Sequence, residues 1–120
     1  MRVLVVDDLA ANRDLAARLL SELGHGVVRV ENGALAVARC AAEGFDVVLL
    51  DVQMPVMDGF EAFERLRALP NARGTAIVSW SAGFLIPGCD AVLVKPCDRS
   101  ELRLALQEAL LTRRGGGDPS

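Results

Sequence analysis

Two hydrophobic periods alternate along the chain. Val3 to Val6 ("VLVV") is an unbroken β-branched and aliphatic run, the pattern of a strand buried on both faces. Residues 9 to 23 switch to helical spacing, with Leu15, Ala16, Leu19, Leu20 and Leu23 on one side, and Gly24 is placed to end that helix. Val27 to Val30 reads as a short strand. Asn32 and Gly33 lead into a helix through about Glu43. Asp46 to Asp51 ("DVVLLD") is a buried strand bounded by acids. Asp58 is a candidate cap for a helix carrying Phe60, Phe63, Leu66 and Leu69 on one side. Pro70, Asn71 and Gly74 make a turn. Ala76 to Ser81 and Ala91 to Val94 are a fourth and a fifth strand. Asp98 and Glu101 form a capping pair for a last helix to about Thr112.

Strands alternating with helices predict an α/β fold with a mostly parallel sheet. In such sheets the site lies beyond the carboxyl ends of the strands. The residues that close the strands are Asp7 and Asp8, Asp51, Ser81 and Lys95. Three acids, one hydroxyl and one lysine are therefore expected at one edge.

Taken singly, each has an ordinary explanation. Asp8 could open the first helix and Asp51 could cap a turn. Serine is common after strands, and a lysine before proline is usually solvated. Their joint placement at four strand ends is what those explanations leave out. Clustered carboxylates raise one another's pKa unless a cation sits among them. A hard divalent ion with oxygen ligands answers that need, and Mg²⁺ fits a site that also handles phosphate. Lys95 supplies a compact charge for a phosphate oxygen, and Ser81 a donor for another. A carboxylate so placed can act as a nucleophile and form an acyl phosphate.

These residues resemble the motifs of a response-regulator receiver domain of two-component signalling, over residues 2 to about 112. "VVDD" supplies the acid pair, and "LLDVQMPVMDGFE" matches the phosphoacceptor region through Asp51, Met54, Pro55, Met57, Asp58 and Gly59. "WSAG" puts Ser81 at the switch hydroxyl, and "VLVKP" puts Lys95 before Pro96. The resemblance implies a flavodoxin-like, doubly wound five-stranded parallel sheet of order 2-1-3-4-5. It implies a receiver domain over 1–112, with 113–120 ("GGGDPS" at its end) a flexible tail or the start of a linker. It also implies that Asp51 takes a phosphoryl group from a phosphohistidine on a sensor histidine kinase or phosphotransfer protein. Asp8, Asp51 and the backbone carbonyl of Gln53 would ligate Mg²⁺, with Asp7 acting through water. Ser81 would move toward the phosphoryl oxygens. Lys95, aimed inward by a cis Lys95–Pro96 bond, would pair with the phosphate, and with Asp51 before it arrives.

The chain departs from the family in two places. Only nine residues, 82 to 90, separate Ser81 from the fifth strand, and they include Gly83, Pro87 and Gly88. A strand-to-strand crossover with its helix needs at least ~10–12. The helix usual at that point is expected to be absent or one turn long. The family's switch aromatic, three positions before the lysine, is Val92, and the chain has no tyrosine. Trp80, Phe84, Leu85 and Ile86 are expected either to fold down over the bared sheet or to form an apolar patch for a partner or homodimer. Leu104 and Leu111 fall off the core face of the last helix and are candidate interface residues.

Composition narrows the alternatives. The chain has 120 residues, 52% of them hydrophobic, which suits one folded domain. A net charge of −3 without a basic stripe argues against direct nucleic-acid binding. No apolar run reaches the ~18 residues of a membrane span. "MRVLVVDD" ends in aspartates, unlike a signal peptide, so a cytoplasmic location is expected, and the start at Met1 favours a single-domain or N-terminal receiver. Cys40, Cys89 and Cys97 have neither disulfide-framework nor zinc spacing. Cys97, near Lys95, is a candidate reactive thiol. An aspartyl phosphatase would need a second acid two positions after the nucleophile, and Gln53 stands there. Receivers do promote their own phosphoryl transfer and autodephosphorylation, and Gln53 is placed to influence attacking water. The alternative is a pseudo-receiver, a protein-interaction module that works without phosphorylation.

Overall fold

The computed structural model describes residues 1–54, 57–82 and 86–116, with side chains through 113. The elements run β1 (Arg2–Val6), α1 (Ala10–Glu22), β2 (Gly26–Val30), α2 (Gly33–Ala42), β3 (Val47–Asp51), α3 (Gly59–Ala68), a 3₁₀ turn (Pro70–Ala72), β4 (Ala76–Ser81), β5 (Ala91–Val94) and α4 (Arg99–Gly116). The strands form one parallel sheet in the order β2-β1-β3-β4-β5. This is the flavodoxin-like order that the family resemblance implies. The order reverses between β1 and β3, where a crevice opens at the strands' carboxyl ends.

Helices cover both faces. Leu19 and Leu20 of α1 and Leu102, Ala105, Leu106 and Ala109 of α4 pack with Val3, Val5, Val47, Leu49, Val78, Trp80 and Leu93. On the other face Ala36 and Cys40 of α2 and Ala62 and Leu66 of α3 pack with Leu4, Val6, Val48, Leu50, Ile77 and Ile86. Alternation along each strand sends successive side chains to opposite layers, so Val3–Val6 of β1 and all of β3 are buried.

The helix starts follow the capping chemistry of the sequence. Asn32 Oδ1 accepts from Leu35 N at 2.8 Å and Asp58 Oδ1 from Glu61 N at 2.9 Å. Asp98 and Glu101 make a reciprocal box, at 2.8 Å and 3.1 Å. Asp8 does not cap α1. The N-cap position is Leu9, whose N–H donates to Asp7 Oδ1 at 2.9 Å.

Two details differ from the sequence reading, and a third agrees with its bared sheet. The core face of α3 is Gly59, Ala62 and Leu66, while Phe60 is exposed and Phe63 half-buried. The small residues face inward because α3 starts hard against the β3 backbone. α4 continues four residues past Thr112, and Arg113 lies 3.8 Å from Asp90. Val92 and Val94 on the outer strand are 43% and 56% exposed, on the face that a helix between β4 and β5 would cover.

That nine-residue crossover contains no helix among its described residues. Gly88 turns it at φ +87°, a left-handed conformation that side chains disfavour. Ile86 folds into the core and donates its N–H to Ser79 Oγ at 3.2 Å. Trp80 is buried too, while Phe84 and Leu85 lie outside the described residues. Asp90 anchors the far end. It is buried, accepts from Ile77 N at 2.8 Å, and pairs with Arg67 of α3 at 2.6 Å. Arg67 also donates to the carbonyls of Ala72 and Thr75. A buried ion pair thus ties α3, β4 and the crossover together.

Candidate phosphoacceptor site

The sheet order brings the predicted groups together. Asp7 and Asp8 follow β1, Asp51 ends β3, Ser81 ends β4 and Lys95 follows β5. Oxygen atoms of Asp7, Asp8 and Asp51 lie within 4.8 Å of one another. Asp7 and Asp51 are buried and Asp8 faces solvent. Two buried oxyanions beside an exposed one, all hard oxygen donors, suit a Mg²⁺ ion that keeps part of its water shell.

Lys95 Nζ enters this cluster from the side, 2.6 Å from Asp7 Oδ2 and 3.3 Å from Asp51 Oδ1. The Lys95–Pro96 bond is cis, and Lys95 N donates to Ser81 O at 3.0 Å, which fixes the lysine's backbone against the end of β4. The sequence reading paired Lys95 with Asp51; its nearer partner here is Asp7. Asp7 is held in turn by Leu9 N, and its carbonyl accepts from Arg13 Nη1 at 2.8 Å.

Burial, and then the neighbouring Asp7 charge, push the Asp51 carboxyl up to about 6. Lys95 and a backbone hydrogen bond from Gln53 oppose that rise. A carboxyl poised near neutrality is ionised by modest positive charge nearby. Ser81 is buried at the mouth of the same crevice, on the strand next to Asp51.

Two positions have contacts at the site that the sequence reading did not give them. Gly59 lies under Asp51: a Cβ there would come 2.3 Å from Asp51 O and 2.7 Å from Val52 Cα. Gly59 N donates to Val52 O at 2.8 Å. The aspartate–glycine step after the methionines was legible, but its target, the backbone of Asp51 itself, was not. The second is Trp80, paired in register with Asp51 and with Leu93. Its ring centroid lies 4.6 Å from Lys95 Nζ. Its Nε1 is buried with no hydrogen-bond partner among the described residues, an omission that costs about 1–3 kcal/mol.

Burial, then the Glu101 and Asp98 charges, push the Cys97 thiol up, which argues against a reactive role there. Among the described residues no helix is long and apolar enough to cross a membrane.

The comparisons agree with this geometry. Residues 3–107 match the family model of the response regulator receiver domain. The sensor protein GacS of Pseudomonas syringae pv. syringae is 42% identical over 112 residues, covering 84% of this chain and 12% of GacS. The transcriptional regulatory protein TcrA of Mycobacterium tuberculosis is 41% identical over 123 residues, covering 96% of this chain and 47% of TcrA. The chain thus spans less than half the length of either relative. The receiver domain of the Pseudomonas aeruginosa sensor histidine kinase PA1611, solved with a magnesium ion coordinated in its active-site cleft, superposes with a TM-score of 0.85 at 31% identity. That match covers 91% of this chain and 96% of the PA1611 domain. A five-stranded parallel sheet of this order, acids and a lysine at its carboxyl edge, and this matching span place the chain in the response regulator receiver domain family of two-component signalling.

Proposed function

We propose that the chain is a Mg²⁺-dependent phosphoacceptor that takes a phosphoryl group onto Asp51 and signals through a changed surface. The observation that carries this reading is the buried Asp51 carboxylate, within 4.8 Å of Asp7 and Asp8 oxygens and 3.3 Å from the Lys95 ammonium. The donor is a phosphohistidine on a sensor histidine kinase or histidine phosphotransfer protein. An Asp51 carboxylate oxygen attacks phosphorus, the phosphorus–nitrogen bond breaks, and the imidazole leaves with the electron pair and takes a proton. The product is an acyl phosphate.

Asp8, Asp51 and the Gln53 carbonyl would hold Mg²⁺, with Asp7 acting through water. The metal's chemistry is neutralisation of charge on the phosphoryl oxygens. Lys95 would transfer its ion pair from the carboxylates to a phosphoryl oxygen, and Ser81 would donate to another. Gln53, exposed two residues beyond the acceptor, would influence attacking water and so the lifetime of the acyl phosphate. The setting is cytoplasmic, and homodimerisation through the bared outer strand is part of this reading.

The test is phosphorylation by acetyl [³²P]phosphate with Mg²⁺, then by a panel of histidine kinases of the source organism. Label on the wild-type chain, and none on Asp51→Asn, is the expected result. A folded wild-type chain that takes no label sinks the reading. It would favour the alternative, a phosphorylation-independent binding module, which Val92 at the switch-aromatic position and the helix-free described part of the crossover support.

A further inference from the structure

Lys95 is the chain's one lysine, Trp80 is its one tryptophan, and the two are stacked. Register explains how they meet. Trp80 is the β4 partner of Asp51, and strand alternation sends its ring to the α1 and α4 face with Leu49, Val78 and Leu93. Lys95 leaves β5 two residues beyond Leu93, the residue paired with Trp80. Its side chain crosses the indole on the way to Asp7 and Asp51, which lie on the same side.

The ammonium therefore has a three-part seat. Asp7 lies at 2.6 Å, Asp51 at 3.3 Å and the indole centroid at 4.6 Å. The carboxylates draw the charge inward, and the ring closes the side facing the core. Nothing holds the indole through its N–H, since Nε1 is buried without a partner among the described residues. A leucine or phenylalanine would fill the layer without that orphaned donor. What the indole adds is its electron-rich face, the best of the aromatic side chains for a cation.

We propose that Trp80 is a positioning residue for Lys95: its ring face aims the ammonium at the phosphoacceptor before a phosphoryl group arrives. The proposal rests on the reading of Asp51 as phosphoacceptor and of Lys95 as the phosphate's partner. The indole keeps the lysine from swinging to solvent when the incoming phosphate loosens its pairs with the carboxylates. Trp80 acts through Lys95 and is not itself a catalytic residue.

The test has two arms. In the first, the chain is made with ¹³C-lysine, so that Lys95 gives one set of side-chain NMR signals. Methylene protons lying over an indole are shifted upfield by its ring current. The wild-type signals should be upfield of a free lysine, should move most of the way back in Trp80→Leu, and only part of the way in Trp80→Phe. Free-lysine positions in the folded wild-type chain would overturn the proposal even if Trp80→Leu fails to fold.

In the second arm, acetyl [³²P]phosphate uptake should slow roughly 5-fold in Trp80→Leu, about 1 kcal/mol of lysine positioning, with Phe recovering most of the rate. Trp80→Phe should be at least as resistant to urea as wild type, which separates positioning from stability. Wild-type uptake rates in both variants would overturn the proposal. A wild-type chain without uptake would overturn the receiver reading and the lysine's phosphate role with it. The NMR arm would still decide whether Trp80 holds Lys95.

Discussion

Lys95 Nζ lies 2.6 Å from Asp7 Oδ2, closer than it comes to Asp51. The lysine thus occupies the negative potential that would attract a divalent ion. Removing it should tighten metal binding. Lys95→Ala is expected to bind Mg²⁺ about 3–10-fold more tightly while taking up phosphate more slowly. With one tryptophan and no tyrosine in the chain, Mg²⁺ titration can be followed by Trp80 emission. Unchanged or weaker Mg²⁺ affinity would show that the lysine does not compete for the site.

Asp51 makes the fold pH-sensitive in a definite direction. Its carboxyl titrates at about 6 in the folded chain, against about 3.9 when unfolded. Between those values the folded state holds the extra proton, so this group's contribution to stability falls as pH rises through the window and levels off above about 6. Asp51→Asn removes that dependence. In EDTA at pH 7.5 the Asn variant should be about 1–3 kcal/mol more stable than wild type, with the gap closing near pH 4. Urea denaturation at the two pH values, with and without Mg²⁺, is the measurement. Mg²⁺ should stabilise wild type more than the variant.

Gly59 sets how closely α3 approaches the acceptor. A methyl group there meets backbone rather than a yielding side chain, at 2.3 Å from Asp51 O. Gly59→Ala should cost about 2–3 kcal/mol in denaturant unfolding, the usual scale of overpacking, and should slow phosphorylation by displacing the Asp51 backbone it would strike. Wild-type stability would mean that α3 can shift freely.

Asp90 takes over anchoring in a crossover without a described helix. Asp90→Ala strips the partner from Arg67 and should destabilise the fold by about 3–5 kcal/mol. Adding Arg67→Met should recover part of that loss, because no cation is then left half-buried. A double-mutant cycle by urea denaturation reads the coupling.

Much of this was legible in the sequence. The strand and helix order followed from the alternation of buried runs with helical spacing. The caps at Asn32, Asp58 and Asp98 followed from side-chain chemistry confined to three or four residues. Asp7, Asp8, Asp51, Ser81 and Lys95 stood out because each closes a strand, and a parallel sheet gathers strand ends on one edge. The shortness of the 82–90 crossover was visible as a count.

What tertiary structure decided were relations across strands, which no local pattern encodes. Sequence spacing could not rank Asp7 above Asp51 as the lysine's nearer partner, since that depends on the path of Lys95 over Trp80. It could not show that Trp80 lies in register with Asp51, because register is set by pairing between β3 and β4. It grouped Phe60 with Leu66 on one side of α3, whereas close approach to the Asp51 backbone turned the glycine–alanine side inward. The buried Asp90–Arg67 pair joins residues 23 positions apart, and only packing reveals it. Sequence specified the groups and the order of the strands. Packing specified the distances, because they are set where separate segments meet.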